Sequence, residues 1–448
     1  MHVHFIAIGG AAMHNLAIAL SRKGDTVTGS DDAIYDPSRS RLEREGLLPP
    51  EMGWHPERIH AGLDAVIVGM HARADNPELA RAQALELPTY SYPEYLFNAT
   101  QHQKRVVIGG SHGKTSTTAM ILHVLAKVGI DADYMVGAQL DGFDCMVKLS
   151  DAPVAVLEGD EYLASPLDRR PKFHLYRPHV AVITGIAWDH VNVFPTWENY
   201  VEQFDLFAQT VEPGGRLFVA AEDPEATAVL QRNAVEGEAY GIHPHHIDSG
   251  YTYLHTSGGD QRIEVFGNHN LQNLNAARLA CREIGVAEAD FYAAIASFPG
   301  ASRRLERMVS TPETMIFRDF AHSPSKVKAT TEAVKQQYPE RSLVAAFELH
   351  TFSSLNADFL REYRGAMDAA DLAWVCWNPD AVAHKKLPPI SKSDIEQAFA
   401  REDLQVFEHP SKMVAALEAL DFSGKNVLVM TSGDLGGIDL PCWAQAQV

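Results

Sequence analysis

Apolar residues recur along the chain in short β-branched runs, each followed by a glycine or polar turn and then by apolar positions at helical spacing. That alternation predicts parallel sheets flanked by helices. The first run, Val3 to Ile8, leads through Gly9-Gly10-Ala11-Ala12-Met13 into a helix reaching Leu20, with Gly24 as its stop. A second strand, Thr26 to Gly29, delivers Ser30-Asp31-Asp32, and a third, Ala65 to Gly69, runs into Met70-His71-Ala72-Arg73-Ala74-Asp75-Asn76-Pro77. The polar stretch Asn98 to Lys104 reads as a linker. A new unit then opens on Arg105-Val106-Val107-Ile108, whose helix carries Ile121, Leu122, Leu125 and Val128 and stops at Gly129. Two further buried-type strands follow, Val154 to Leu157 and Val180 to Thr184. Beyond a junction at Gly300-Ala301-Ser302, strands near Leu343–Phe347, Leu372–Trp377 and Val427–Met430 predict a third α/β unit, the last running into a glycine loop at 431–437. The expected domains are 1–102, 103–300 and 301–448.

Composition narrows the class. At 448 residues the chain is long enough for about three domains. With 46% hydrophobic and 21% charged residues it can bury a large core. A net charge of −20 disfavours nonspecific adhesion to nucleic acid or to an anionic membrane. Cys145, Cys281, Cys376 and Cys442 are widely spaced without a CxxC pair, as in a reduced chain. No leader-like order opens the sequence and no apolar run approaches membrane-span length, so a cytoplasmic protein is expected.

The chemistry centres on Gly109-Gly110-Ser111-His112-Gly113-Lys114-Thr115-Ser116. A strand, a glycine loop and a helix in that order build a phosphate cradle from backbone N–H groups and the helix dipole. Lys114 is placed to reach terminal phosphates and Thr115 to ligate Mg²⁺. The generic P-loop glycine five residues before Gly113 is absent, since Ile108 stands there. An ordinary βα turn is the bland alternative. Glu158 and His190 follow strands that, if parallel to the first, open on the same crevice as plausible metal ligands. Each alone would be a solvated strand end or a packing histidine. At the N-terminus, Ala7 and Ala12 stand where a dinucleotide fingerprint has glycines, which disfavours a plain dehydrogenase. His269, Asn270 and Asn273 lie at a helix start, as caps or as readers of a purine edge. Arg303-Arg304 suits phosphate or carboxylate, or is exposed charge.

Taken together these residues resemble the Mur ligase family, the ATP-dependent amide-forming enzymes of peptidoglycan synthesis. The resemblance covers essentially the whole chain. It rests on Gly110-Ser111-His112-Gly113-Lys114-Thr115, Glu158-Gly159-Asp160-Glu161, Asp189-His190, Gly267-x-His269-Asn270-x-x-Asn273, Arg303-Arg304-Leu305-Glu306 and Asp319-Phe320-Ala321-His322-Ser323-Pro324. The resemblance implies a Rossmann-like N-terminal domain, a P-loop ATPase-type central domain and a Rossmann-like C-terminal domain. It implies ATP and Mg²⁺, with Lys114 on the β and γ phosphates. Thr115, Glu158 and His190 would bind metal, and His269, Asn270 and Asn273 would surround adenine, with Arg304 and Asp319 approaching the ATP. Gly9, Gly10, Ser30, Asp31, His71 and Asn76 become candidates for the UDP of UDP-N-acetylmuramate. Asp205 stands where some members carry a carbamylated lysine, and no lysine lies between His190 and Gly215.

Within the family, the stretch from Tyr162 to Pro178 resembles the murein peptide ligase branch, which joins UDP-N-acetylmuramate to a wall-derived peptide, L-alanyl-γ-D-glutamyl-meso-diaminopimelate. The segment Phe347 to Ser354 lacks the arginine of the L-alanine-adding branch. Arg169, Arg170, Glu348 and His350 are then candidates for the amine substrate. An L-alanine-adding ligase remains the alternative, and a nucleotide-gated binding protein is a rival of another class.

Overall fold

The structure, a computed structural model, describes residues 1–140, 142–166, 168–188 and 193–447. The chain divides into two compact units. One comprises Met1–Ile242 with Gln272–Ile295, the other His243–Leu271 with Ala296–Val448.

The first unit holds two sheets. Strands Thr26–Ser30, His2–Ile6, Ala65–Val68 and Thr89–Ser91 lie side by side, all parallel. The larger sheet runs Gly237–Tyr240, Arg216–Ala220, Val180–Ile183, Lys104–Gly109, Val154–Glu158, Ala132–Met135 and Val147–Lys148. Only its last pair is antiparallel. Strands buried on both faces need unbroken apolar runs, and Val106, Val107 and Ile108 are each wholly buried. Phe173 backs this sheet, stacked on Phe207 at 4.6 Å between ring centres. A Cβ on Gly109 or Gly159 would meet the Phe173 ring or its Cβ at 3.1 and 3.0 Å, so the glycines let the strand ends close over the aromatic core.

The second unit has a six-stranded sheet ordered Glu306–Ser310, Met315–Asp319, Lys425–Met430, Ser342–Leu349, Leu372–Trp377 and Gln405–Glu408. It also carries a small antiparallel sheet of His245–Asp248, Tyr251–Thr256 and Gly259–Ile263, whose polar alternation the sequence reading did not identify.

The anticipated linker is shorter than read. Asn98 and Ala99 complete the helix Tyr92–Ala99, and Lys104 already belongs to a strand. Between them the Thr100 hydroxyl closes the helix on Leu96 O at 2.8 Å, and Gln103 is buried, donating to Asp133 at 2.6 Å. Thr100 and Gln103 thus satisfy backbone and a buried carboxylate, while Gln101 and His102 stay exposed. Among the described residues no helix is long and apolar enough to cross a membrane.

Candidate functional site

The strand Lys104–Gly109 lies between Val154–Glu158 and Val180–Ile183, parallel to both, so the carboxyl ends of all three open on one crevice. The loop Gly110–Gly113 turns there into the helix Lys114–Val128. Gly110 has φ +125°, and a Cβ on it would come within 2.8 Å of Thr184 N. Gly113, at φ +80°, faces the side chain of Asn273. Both glycines are therefore demanded by backbone conformation and by close approach. Thr184 donates to Gly109 O at 3.1 Å and to His112 O, pinning the loop to the neighbouring strand end. The Ser111 hydroxyl lies 2.8 Å from Tyr200 OH and accepts from Ala187 N at 2.8 Å. His112 Nδ1 sits against Ser111 O at 2.8 Å, and Ser116 is buried.

Lys114 Nζ donates to Gly110 O at 2.5 Å and to Glu161 Oε2 at 2.7 Å. Burial works against the ammonium, yet Glu161, Asp160 and Glu158 outweigh it and hold its pKa above the ordinary lysine value. Glu161 is 1% exposed and also receives Tyr200 OH at 3.3 Å. Neither Glu161's contact with Lys114 nor the Tyr200 phenol was singled out from sequence, although Glu161 closes the Glu-x-Asp-Glu motif. Asp160 is held by Lys172 at 2.5 Å; burial pushes its carboxyl up, but Lys172 and Lys114 keep it below the usual range.

Thr115 Oγ1 donates to Glu158 Oε1 at 3.0 Å, and Gly137 N donates to Glu158 Oε2 at 3.1 Å. Burial raises the Glu158 pKa against the pull of Lys114 and these two hydrogen bonds. A desolvated carboxylate beside a hydroxyl is a hard-oxygen donor set that fits Mg²⁺. His190 lies outside the described residues. Asp205 instead accepts from Arg232 Nε at 2.7 Å and Asn233 Nδ2 at 2.6 Å, a surface tie between helices.

In the N-terminal sheet, Ala7 takes φ +67°, the left-handed conformation a glycine would supply at that fingerprint position. Gly9 N donates to Asp31 Oδ2 at 2.7 Å, and a Cβ on Gly9 would press within 2.8 Å of Ile34. Among the described residues the buried Asp31 Oδ1 has no hydrogen-bond partner of good geometry, which leaves an acceptor for a ligand's N–H or O–H. Burial raises its pKa, opposed by the Gly9 N–H. Gly10 caps the helix Ala11–Lys23, Ser30 is fully buried, and His71 is exposed. Asn76 spends its side-chain oxygen capping the helix Pro77–Ala84, accepting from Glu78 N and Leu79 N at 2.9 and 3.2 Å. Unanticipated from sequence is the buried pair His4–Glu78, 3.3 Å apart beneath this sheet end.

The helix Asn268–Glu283 has His269 and Asn270 in the second unit and Asn273 in the first. His269 keeps part of its surface exposed, and desolvation by the surrounding protein pulls its pKa down to about 4. Asn270 Nδ2 donates to Phe266 O at 3.0 Å. In the second unit Asp319 accepts from Leu305 N at 2.5 Å and Ala321 N at 2.6 Å. It thereby braces the turn in which Arg303 and Leu305 adopt positive φ. Burial raises its pKa against the nearby Arg304, whose guanidinium lies 4.8 Å from the Phe320 ring centre. At the end of Ser342–Leu349, Glu348 is 3% exposed, receives the Thr431 hydroxyl, and has His350 Nδ1 3.9 Å away. Burial raises the Glu348 pKa against that hydroxyl and His350. Arg170 is paired with Asp168 at 2.6 Å, while Arg169 is exposed.

Residues 2–104 match the model of the Mur ligase family catalytic domain, 108–281 the Mur ligase middle domain, and 303–433 the Mur ligase glutamate ligase domain. A UDP-N-acetylmuramate–L-alanine ligase of Paenarthrobacter aurescens is 31% identical, the match covering 97% of this chain and 94% of that protein. Another of Desulfitobacterium hafniense is 28% identical over 97% and 98%. A solved structure of UDP-N-acetylmuramate:L-alanyl-γ-D-glutamyl-meso-diaminopimelate ligase from Neisseria meningitides is 26% identical, with a TM-score of 0.60 over 66% of this chain and 98% of that chain. That of UDP-N-acetylmuramate–alanine ligase from Thermotoga maritima shares the fold at 20% identity and a TM-score of 0.71, over 100% and 98%. With its parallel sheets, its phosphate-type loop and matches to all three domain models, the chain belongs to the Mur ligase family, the ATP-dependent, amide-bond-forming ligases of peptidoglycan synthesis.

Proposed function

We propose that this ligase joins UDP-N-acetylmuramate to L-alanyl-γ-D-glutamyl-meso-diaminopimelate in the cytoplasm, as a step of peptidoglycan recycling. The observation carrying the choice of acceptor is the buried Glu348 with His350 at the end of Ser342–Leu349, in a segment 347–354 that has no arginine. A carboxylate there repels the carboxylate of a single amino acid and suits the ammonium that diaminopimelate carries far from the reacting amine. The 26%-identical Neisseria structure and the stretch Tyr162 to Pro178 support the same branch. Arg169 is the better candidate for the peptide's carboxylates, since Arg170 is committed to Asp168.

In this reading the domains are 1–102 for the UDP-sugar, 103–300 for ATP and 301–448 for the amine. Gly9, Gly10, Ser30, Asp31, His71 and Asn76 receive the UDP-sugar, with Asp31 Oδ1 as a ready acceptor. Gly110 to Ser116 and Asn273 cradle the triphosphate in the first unit, and His269, Asn270, Arg304 and Asp319 are the nucleotide-binding candidates of the second. Thr115 and Glu158 would hold one Mg²⁺ and His190 a second, which when bound supply positive charge to the phosphate oxygens. Lys114, kept cationic by Glu161, neutralises the phosphoryl group as the muramate carboxylate attacks the γ-phosphorus. The peptide's α-amine then attacks the acyl carbon; the C–O bond to phosphate breaks as the amine gives up a proton, leaving an amide and inorganic phosphate beside the ADP formed in the first step.

A second reading, an L-alanine-adding ligase, is favoured by the names of relatives such as the 31%-identical protein of Paenarthrobacter aurescens. The deciding experiment offers both acceptors side by side with UDP-N-acetylmuramate, ATP and Mg²⁺ and reads product mass and kcat/KM. A large preference for the tripeptide is expected. Equal or better use of L-alanine overturns the proposal in favour of the second reading.

A further inference from the structure

The small antiparallel sheet of the second unit gathers a donor set that the ligase chemistry does not use. His255 on Tyr251–Thr256 pairs in register with Asp260 on Gly259–Ile263, and His246 on His245–Asp248 pairs with Tyr253. Alternation along a strand therefore sets His246, Tyr253, His255 and Asp260 on one face. The two imidazoles stack with ring centres 5.0 Å apart, and Tyr253 stacks on His246 at 5.2 Å, fixing that ring. Each imidazole turns Nδ1 to a different oxygen of one carboxylate: His255 to Asp260 Oδ1 at 2.9 Å, His246 to Oδ2 at 3.9 Å. One donor atom from each of the three lies within 4.8 Å of the others. Arg262, the cation of the same face, is drawn instead to the Tyr251 ring at 3.6 Å and to Glu264 at 3.5 Å.

We propose that His246, His255 and Asp260 bind a divalent transition ion of the zinc class, one ligand from each strand, with water completing the shell. Tetrahedral Zn²⁺ with ligands at about 2.0–2.1 Å needs donors roughly 3–4 Å apart; the carboxylate already lies 2.9 and 3.9 Å from the two imidazoles, and one stacked ring must rotate so that the ion lies in the plane of both. Two imidazoles and one carboxylate suit zinc better than the oxygen-seeking Mg²⁺ of the triphosphate site. The ion would staple all three strands, including His245–Asp248 at the edge, into one unit. The side chains are about half exposed, at 42%, 49% and 51%, so ion entry needs no opening of the fold.

The test titrates Zn²⁺ by calorimetry into tag-free full-length protein in excess Mg²⁺, with Co²⁺ absorption as a spectroscopic probe. The comparison is with His255→Ala and Asp260→Asn. One Zn²⁺ equivalent is expected whose affinity falls at least roughly tenfold in each variant, since even an outer partner of a metal ligand costs that much. The tetrahedral-type Co²⁺ band should vanish with it, and amide exchange of residues 245–263 should slow with Zn²⁺ in the parent alone. Unchanged ligase turnover would show that both variants fold. Equal Zn²⁺ affinity and stoichiometry in all three proteins, or no binding by the parent, overturns the proposal and leaves a hydrogen-bonded surface pair.

Discussion

Glu161→Gln removes the charge opposite Lys114 while keeping the side chain's shape. At 2.7 Å and an effective dielectric of about 20, the gross attraction lost is about 6 kcal/mol. Glutamine still accepts a hydrogen bond, and Lys114 retains 15% exposure, so water and the remaining acids recover much of it. A net coupling of roughly 2–3 kcal/mol is expected, within the range for a hydrogen bond to a charged group. The assay is a double-mutant cycle of Glu161→Gln and Lys114→Met, scored by the midpoint of the first urea transition. The double variant should be more stable than the sum of the single losses predicts. Additivity within about 0.5 kcal/mol would refute the argument that Glu161 holds a desolvated ammonium. Because the folded pKa of Lys114 is raised, the coupling is fully present below the unfolded lysine value of about 10.4 and disappears only as pH rises through the higher folded value. A coupling already gone at a pH of about 9 would equally contradict the assignment.

Lys114→Ala should cut ligation by about 10²–10³-fold or more while UDP-sugar binding persists, and near-normal turnover in a folded variant would remove the loop from the mechanism. Glu158→Ala should likewise depress activity severely, most visibly at limiting Mg²⁺, and full activity there would exclude Glu158 as a ligand. His269, with its pKa lowered to about 4, should titrate by NMR far below the ordinary histidine value. The stability that depends on its neutral form is present above about 6.5 and declines as pH falls toward 4, and a midpoint near 6.5 would contradict its burial.

Sheets buried on both faces write themselves into sequence as continuous apolar runs, which is why Val3–Ile8, Arg105–Ile108, Val154–Leu157 and Val180–Thr184 could be read with nearly correct ends. Parallel pairing of three of those strands then places Glu158 and Lys114 at one carboxyl end of the sheet. The half-exposed hairpin strands from 245 to 263 escaped, because short polar alternation resembles loop. So did the linker's true length, since Gln103 is polar in sequence but buried against Asp133 in the fold. Motif spacing along the chain named Lys114, Thr115, Glu158, Asp319 and Asn273. It could not say that Glu161 holds Lys114, that Asp319 spends both oxygens on backbone N–H groups, or that Arg170 is taken by Asp168. Nor could it bring His246, His255 and Asp260 onto one face. Residue type and period are local properties, set by which groups must leave water. Which charge meets which is decided by strand register and by loops crossing between strand ends, and only the folded chain specifies those distances.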